Sequence, residues 1–515
     1  MAKKITLLAC PWVFQGDPEF QSQQLGLAYV GAYVVECGHK VIKYIDPMLS
    51  GGQHIKQPIA TEHQTLYRVG HPDEWIISNI PDDSDYIFIN APFTDSRFVF
   101  YPLCNKIKTK FPGIPIVAGG ILATTLPHQI LKETKIDIVV KGEGEIAGAR
   151  ILNGEPLASI PGLVFRDEQG HIHENPERSE QLLNIDQIPR ITQFNMRPVR
   201  EYVNWSPRGN TLDKTFSYIT SRGCPFTCEF CSIPEKGQTW RAFSATRVIE
   251  EIQFMIDHHD VTHIEIEDDN FTLKKEHAIP ILNYLKKLKD AGHPVKLSFP
   301  NGVMINRLDR EQIFAMKAAG TEIIYLPVES GDLKNLIAMN KPFATRHLDQ
   351  TLQVAHWCAE AQLDAGAFFI IGYPGGKICT KPAQEIINKK YPDSIIKSAD
   401  SCLWIKGEDE ASFDTTISYA KKLVQAGVKF ITPLIATPYP GTNLYEICKD
   451  LGWLRKPDHA NMVTTISYQN PKVDYINIET PWCSAAEAFS RWKYMSEIFD
   501  IKHNVIKTNR ENDTP

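Results

Sequence analysis

The chain has 515 residues, 43% hydrophobic and 23% charged, the composition of a globular protein with room for about three domains. With 55 basic against 61 acidic residues the formal charge is −6, so no global field draws it to nucleic acid or to an anionic membrane surface. No apolar run approaches the roughly 18 residues that span a bilayer and no low-complexity tract occurs, which excludes a helical membrane protein and a largely disordered one.

The first residues, Met1 to Lys4 and then 5–14, have the outline of a secretion signal, but Pro11 breaks the apolar run and no small-residue cleavage site precedes Gly16. Residues 5–8 read instead as a first buried strand. As far as residue 140, short apolar strands at 5–8, 41–45, 86–89, 114–117 and 136–140 alternate with helical patterns at 25–37, 98–110 and 125–133. This rhythm predicts a Rossmann-like domain over 1–150, a parallel sheet covered on both faces with its ligand at the carboxyl ends of the strands. There the sequence places 92–96, Gly119, Gly120 and 142–145. Residues 151–212, with prolines at 156, 161, 176, 189, 198 and 207, read as a linker carrying a small hairpin at 161–170.

Strands resume near 216–220, 262–267, 295–299, 322–328, 366–371 and 429–435. Between the first two, Val248, Ile249, Ile252 and Met255 follow the spacing of a helix with one buried stripe. Six strand–helix repeats predict a partial (β/α) barrel over 213–445, with its chemistry at the carboxyl ends of the strands. The remainder, 446–515, carries helical pieces such as 485–499 and a polar tail, 507–515, expected to be disordered. The fold class is therefore α/β: a parallel-sheet domain, a partial barrel and a small helical C-terminal region.

Eleven cysteines, an odd number scattered over a long chain, speak for reduced thiols and a cytoplasmic protein. Eight read as buried thiols without chemistry. Cys224, Cys228 and Cys231 stand apart, in a C-x3-C-x2-C run directly after the strand near 216–220. A loop with this spacing suits one face of a cuboidal iron–sulfur cluster, three irons held and a fourth left open. A zinc knuckle needs four closed ligands, and no second pair of cysteines at knuckle spacing occurs.

This run resembles the signature of the radical S-adenosylmethionine (SAM) enzymes, and the wider sequence resembles their cobalamin-binding-domain branch. The likeness extends from Leu25 to Leu444. Residues 25–28, 36–41, 45–46, 117–120, Pro127 and 140–145 resemble the cobalamin-type domain; 267–272, 299–302, 328–331, 371–375 and 438–442 resemble successive barrel motifs. The resemblance implies a 4Fe–4S cluster on Cys224, Cys228 and Cys231, SAM on its open iron, and cobalamin on the first domain. It places Phe230 near the adenine, Asp268, Asp269 and Asn270 toward the methionine amino group, and Glu329 and Ser330 toward the ribose or the amino acid part. Gly372, with Gly375, would allow close backbone approach. For cobalamin it implies Gly119 and Gly120 at the nucleotide tail, and Thr94, Ser96, Gly142, Glu143, Gly144 and Glu145 at the corrin amides. The Asp-x-His-x-x-Gly string that supplies a cobalt ligand in many cobalamin folds is missing, so no histidine from that motif would lie below the cobalt. Between Gly376 and Gly407 the sequence also departs from the family, with an insertion of about thirty residues at the barrel mouth that reads as a lid or as a solvated excursion.

The function implied is methylation of an unactivated carbon of a small-molecule, lipid or peptide substrate, through a 5′-deoxyadenosyl radical and methylcobalamin. It calls for an external one-electron reductant of the flavodoxin or ferredoxin type and for no nucleic acid. The alternatives are ring formation, carbon–carbon coupling or rearrangement on the same architecture without methyl transfer. More remote are a transfer-RNA methylthiolating enzyme, which should carry a second cysteine-held cluster, and an iron–sulfur electron carrier or binding protein. No general base is identifiable; Tyr439 and Cys402 are positions to test.

Overall fold

The computed structural model describes residues 1–14, 24–48, 56–60, 65–192, 214–233, 238–293, 295–376, 407–456 and 472–499. It forms two compact units: 1–217 with 233–235 and 241–261, and 218–232 with 236–240 and 262–515.

In the first unit, β1 (Lys4–Leu8), α1 (Leu25–Glu36), β2 (Lys40–Ile45), β3 (Tyr86–Asn90), α2 (Arg97–Lys110), β4 (Ile116–Gly119), β5 (Ile138–Val140) and α3 (Glu145–Leu152) follow one another. The strands lie in the order β2-β1-β3-β4-β5, all parallel. Ile5, Leu7 and Leu8 of β1 are fully buried, as a strand covered on both faces must be. On one face α2 lays Val99, Phe100, Leu103 and Ile107 against Ile87, Ile89, Ile116 and Ala118. α3 seats close to its neighbours because Gly144 and Gly148 carry no side chain: a Cβ there would lie 2.9 Å from Val30 and 3.1 Å from Phe88.

Three features differ from the sequence reading. The hairpin, β6 (Leu163–Arg166) and β7 (Ile172–Glu174), is not set in a linker; β6 pairs antiparallel with β5 and extends the sheet. Its proline-rich, polar flanks hide the fact that Leu163, Val164 and Phe165 are buried. A separate antiparallel sheet of Trp12–Phe14, Lys56–Ala60 and Thr65–Val69 occupies the excursions that flank α1 and β2. Cys37, read as a buried thiol, is exposed at the C-terminal end of α1, whereas Cys10, Cys104, Cys358, Cys448 and Cys483 are buried. The helix α4 (Ala245–His259) buries Val248, Ile252 and Met255 as its periodicity requires.

The second unit carries the barrel strands: the end of β8 (Thr215–Tyr218), then β9 (His263–Ile266), β10 (Lys296–Ser298), β11 (Ile323–Glu329), β12 (Asp364–Ile371) and β13 (Phe430–Ile435). β9 pairs parallel with β10, β11 with β12, and β12 with β13; a parallel bridge from Leu297 to Thr321 joins the two groups. Helices α5 (Lys275–Asp290), α6 (Arg310–Ala318), α7 (Ala344–Glu360) and α8 (Glu410–Gln425) alternate with them, and α9 (Ala485–Ile498) follows. Their starts are encoded locally, with reciprocal capping boxes at Asp309 and Gln312, Asp409 and Ser412, and Ser484 and Glu487. The inserted segment, with Cys379 and Cys402, and the polar tail lie outside the described residues. Among the described residues no helix is long and apolar enough to cross a membrane.

Candidate functional site

β8 gives its last carbonyl, Tyr218, to the Glu267 N–H at 2.9 Å, and the chain then turns through Thr220, Ser221 and Gly223 into the cysteine loop. Gly223 has φ +89, and a Cβ there would lie 2.7 Å from the Thr239 carbonyl oxygen, so the turn needs glycine. Cys224, Cys228 and Cys231 are half-buried thiols, outside any disulfide, on one short loop. The loop is braced by Cys231 N–H to the Cys228 carbonyl at 3.2 Å and Gln238 N–H to the Cys224 carbonyl at 3.1 Å.

Burial raises the Cys224 thiol and holds Cys228 at about 11; the Lys341 charge pulls Cys228 down and Glu329 pushes it up. Thiols held this high ionise when a metal takes up the charge. Among the described residues no three His, Cys, Asp or Glu side chains converge as ligands to a single ion. A cluster asks for no such convergence, since each thiolate takes its own iron. The donor set therefore fits an iron–sulfur cluster better than zinc.

The acidic triplet after β9 divides its labour. Asp268, expected at the methionine amino group, is 3% exposed and accepts from Thr220 N–H at 2.5 Å, Thr220 Oγ1 at 2.6 Å and Ser221 Oγ at 2.5 Å. Burial raises its carboxyl to about 6 against those hydrogen bonds. His277, brought down to about 4 by burial, donates from Nε2 to Thr220 Oγ1 at 2.9 Å, and Trp240 Nε1 reaches Ser221 Oγ at 3.1 Å. Asp268 is thus turned onto the root of the cysteine loop. Its neighbours face the loop itself: the Asn270 side chain hydrogen-bonds the Cys224 thiol, and the Asp269 charge acts on the same group.

At the end of β11, Glu329 adopts φ +68, a strained conformation for a side chain, and pairs with Lys341 at 2.8 Å. Ser330, expected beside it at SAM, packs away: its Oγ lies 3.3 Å from Thr416 Oγ1 on α8 and accepts from Asp332 N–H at 3.1 Å. Phe230 meets Tyr373 edge to face at 6.5 Å, against a core that includes Leu444 and Cys448. At Gly372 the close approach is to α9, where a Cβ would lie 2.8 Å from Ala488, and its N–H donates to Glu408 at 2.9 Å. Glu408 is fully buried and raised to about 7 by that burial, with Arg491 Nη1 on its carbonyl at 2.8 Å.

In the first unit the strand order reverses at β1, which lies between β2 and β3. Asn90, ending β3, accepts from the Cys10 N–H at 3.0 Å and donates to Gln24 Oε1 at 2.5 Å. The Gln24 Nε2 amide is buried without a hydrogen-bond partner among the described residues. Gly119, the register partner of Asn90 on β4, has open space where a Cβ would stand, whereas Gly120, at φ +101, lies 2.6 Å by the same measure from the Ala91 carbonyl oxygen. A buried donor with nothing to bond, and an unfilled glycine position at the carboxyl end of the strand β4, fit a ligand such as cobalamin. Thr94 and Ser96 are buried in a short turn, with Ser96 Oγ accepting from Phe93 N–H at 3.4 Å. Gly142, at φ +102, donates its N–H to Thr124 Oγ1 at 3.0 Å. Glu143, expected at the corrin, is instead held by Arg241 in a buried two-point pair, and Glu145 is buried in the first turn of α3.

The structure thus gathers Asp269, Asn270 and Glu329 about the cysteine loop and turns Asp268, Ser330 and Gly372 into the packing. Lys341, His277, Trp240 and Arg491 escaped the sequence reading. An asparagine before and a proline after Lys341 signal a turn, but the lysine itself carries no mark.

A family model described as the B12 binding domain matches residues 12–152, and one described as the Radical SAM superfamily matches residues 218–379. An uncharacterized methyltransferase of Pyrococcus horikoshii is 28% identical over 408 residues, covering 77% of this chain and 77% of its own. Cytidylyl-2-hydroxyethylphosphonate methyltransferase of Streptomyces wedmorensis is 26% identical over 500 residues, 91% of this chain and 85% of its own. Among solved structures, the radical SAM methyltransferase TsrM of Kitasatospora setae, with cobalamin and a 4Fe–4S cluster bound, shares the fold with a TM-score of 0.62 and 16% identity over 95% of this chain and 84% of that one. A second structure of TsrM holds tryptophan as substrate and aza-SAM. A B12-binding domain, a radical SAM domain and methyltransferase relatives along most of the length make this chain a member of the cobalamin-binding radical SAM methyltransferase family.

Proposed function

We propose that this enzyme methylates an unactivated carbon of a small-molecule substrate, with Cys224, Cys228 and Cys231 as ligands of a 4Fe–4S cluster and the carboxyl end of the first-unit sheet as the cobalamin site. The observation that carries it is the cysteine loop: three thiols within eight residues, rooted by Asp268 and hydrogen-bonded at Cys224 by Asn270. When bound, the cluster and SAM supply a 5′-deoxyadenosyl radical and cobalamin supplies the methyl group. Asn270 orients the Cys224 sulfur, and Asp269 beside it is an acceptor suited to the SAM ammonium. Gly119 leaves room for the nucleotide tail, and Gln24 Nε2 offers a donor to an acceptor of the ligand. The small-molecule class is favoured by the phosphonate relative and by tryptophan in TsrM.

The test is anaerobic reconstitution of the full chain with iron, sulfide and hydroxocobalamin, followed by desalting and metal analysis. About four irons and about one cobalt per chain are expected, with 5′-deoxyadenosine formed from SAM after reduction. An intact cluster that cleaves SAM while no cobalt is retained would overturn methyl transfer. Loss of iron binding on wild-type reconstitution would overturn the cluster assignment itself.

A further inference from the structure

The segment after β11 is built around the cysteine loop. A short helix, Leu333–Ala338, ends there, and Asn340 and Phe343 take left-handed backbone conformations at φ +50 and +58, bending the chain back. The Met339 carbonyl accepts the Glu229 N–H at 3.0 Å. Asn340 Nδ2 donates to the Thr227 carbonyl at 3.1 Å and to Thr227 Oγ1 at 2.9 Å. Phe343 meets Phe226 edge to face at 6.1 Å. Residues 339–343 therefore grip the loop on both sides of Cys228, and the next charged group along this segment is Lys341.

Lys341 is paired with Glu329 at 2.8 Å, and both side chains are more than nine-tenths buried. A buried pair of this kind is an expensive way to fill space, since the desolvation of two charges offsets their attraction. His347, packed nearby, adds no charge. It is neutral, with its pKa brought down to about 3 chiefly by burial, and it is hydrogen-bonded to the Val328 carbonyl at 3.2 Å and to Asn306 Nδ2 at 2.8 Å. The Asp269 charge reaches the loop at Cys224, whereas at Cys228 the charged side chains that act are Lys341 and Glu329. Both act on Cys228 with opposite sign, and Lys341 also acts on Cys224.

We propose that Lys341 is a positioning residue that sets the reduction potential of the cluster, holding a positive charge beside Cys228 with Glu329 as its counterweight. This rests on the assignment of Cys224, Cys228 and Cys231 as cluster ligands. Adding an electron makes the cluster more negative, so a nearby ammonium favours the reduced form and a nearby carboxylate disfavours it.

The test is a potentiometric titration of the reconstituted full chain without SAM, followed by electron paramagnetic resonance, with iron measured in every sample. In Lys341→Gln the oxidised-to-reduced ratio at a fixed potential should rise about tenfold, a fall in midpoint of ~59 mV for a one-electron couple. Glu329→Gln should shift it the opposite way, Lys341→Arg should stay near wild type, and the double variant should lie between the two glutamine variants. Unchanged midpoints, or shifts of the same sign, in variants with a full complement of iron would overturn the proposal. Should Lys341→Gln take up no iron, Glu329→Gln decides: a rise in midpoint supports the proposal, while a fall or no change overturns it. Wild-type protein without a cluster would instead overturn the ligand assignment.

Discussion

The Asp268 carboxylate holds Thr220 at two points, the backbone N–H at 2.5 Å and the hydroxyl at 2.6 Å, four residues before the first cysteine. An acid that reads as a ligand for an ammonium is spent on shaping the entry to the cysteine loop. Asp268→Ala would leave the Thr220 N–H and the hydroxyls of Thr220 and Ser221 without their acceptor in a buried setting. We expect a loss of about 3 kcal/mol in urea unfolding, together with reduced iron uptake. Asp268→Asn, which keeps one acceptor oxygen, should lose less than half of that. Wild-type stability and iron content in the alanine variant would contradict this role.

Glu408 predicts a pH dependence. Its folded pKa, about 7, lies above the ordinary value of 4.5. The folded state therefore binds the proton more tightly than the unfolded chain does, and this contribution is full below 4.5 and lost as pH rises through 7. Glu408→Gln abolishes that titration while keeping an acceptor for Gly372 N–H. Relative to the variant, the wild type should gain up to about 3 kcal/mol between pH 7.5 and pH 4.5, read from urea midpoints. A pH-independent difference would show that Arg491 keeps Glu408 ionised throughout.

Two adjacent glycines should behave differently. Gly120 has a left-handed φ of +101 and no space toward the Ala91 carbonyl, so Gly120→Ala should lower the thermal midpoint by several degrees, about 2 kcal/mol. Gly119 has open space, so Gly119→Leu should fold normally and lower cobalt retention after desalting. Full cobalt in Gly119→Leu would move the cobalamin site elsewhere.

The architecture was legible because both units are built from strands and helices whose periodicities differ, and the cysteine loop because three of eleven cysteines fall within eight residues. The strand predicted at 429–435, found at Phe430–Ile435, and the helix α4 need no distant information to be recognised. What escaped depends on side-chain direction and on distant partners. In the string Asp268, Asp269, Asn270 nothing local says which acid turns inward; burial of Thr220 and Ser221 decides it. Glu143 reads as a loop acid because Arg241, its partner, lies 98 residues away. The edge hairpin was mistaken for part of a linker because its prolines and charges lie in the flanks while its buried residues number only a few.

The grip on the cysteine loop also sets an order of events during maturation. Thr227 is bonded by Asn340, 113 residues downstream, and Glu229 donates its N–H to the Met339 carbonyl and accepts the Leu444 N–H on its own. Contacts closing loops of this length form late, after the local elements. The thiols therefore reach their final setting only once β11 and the segment after β13 have docked. A nascent chain that has merely synthesised its three cysteines has no finished receptacle for iron, and cluster insertion belongs to the end of folding.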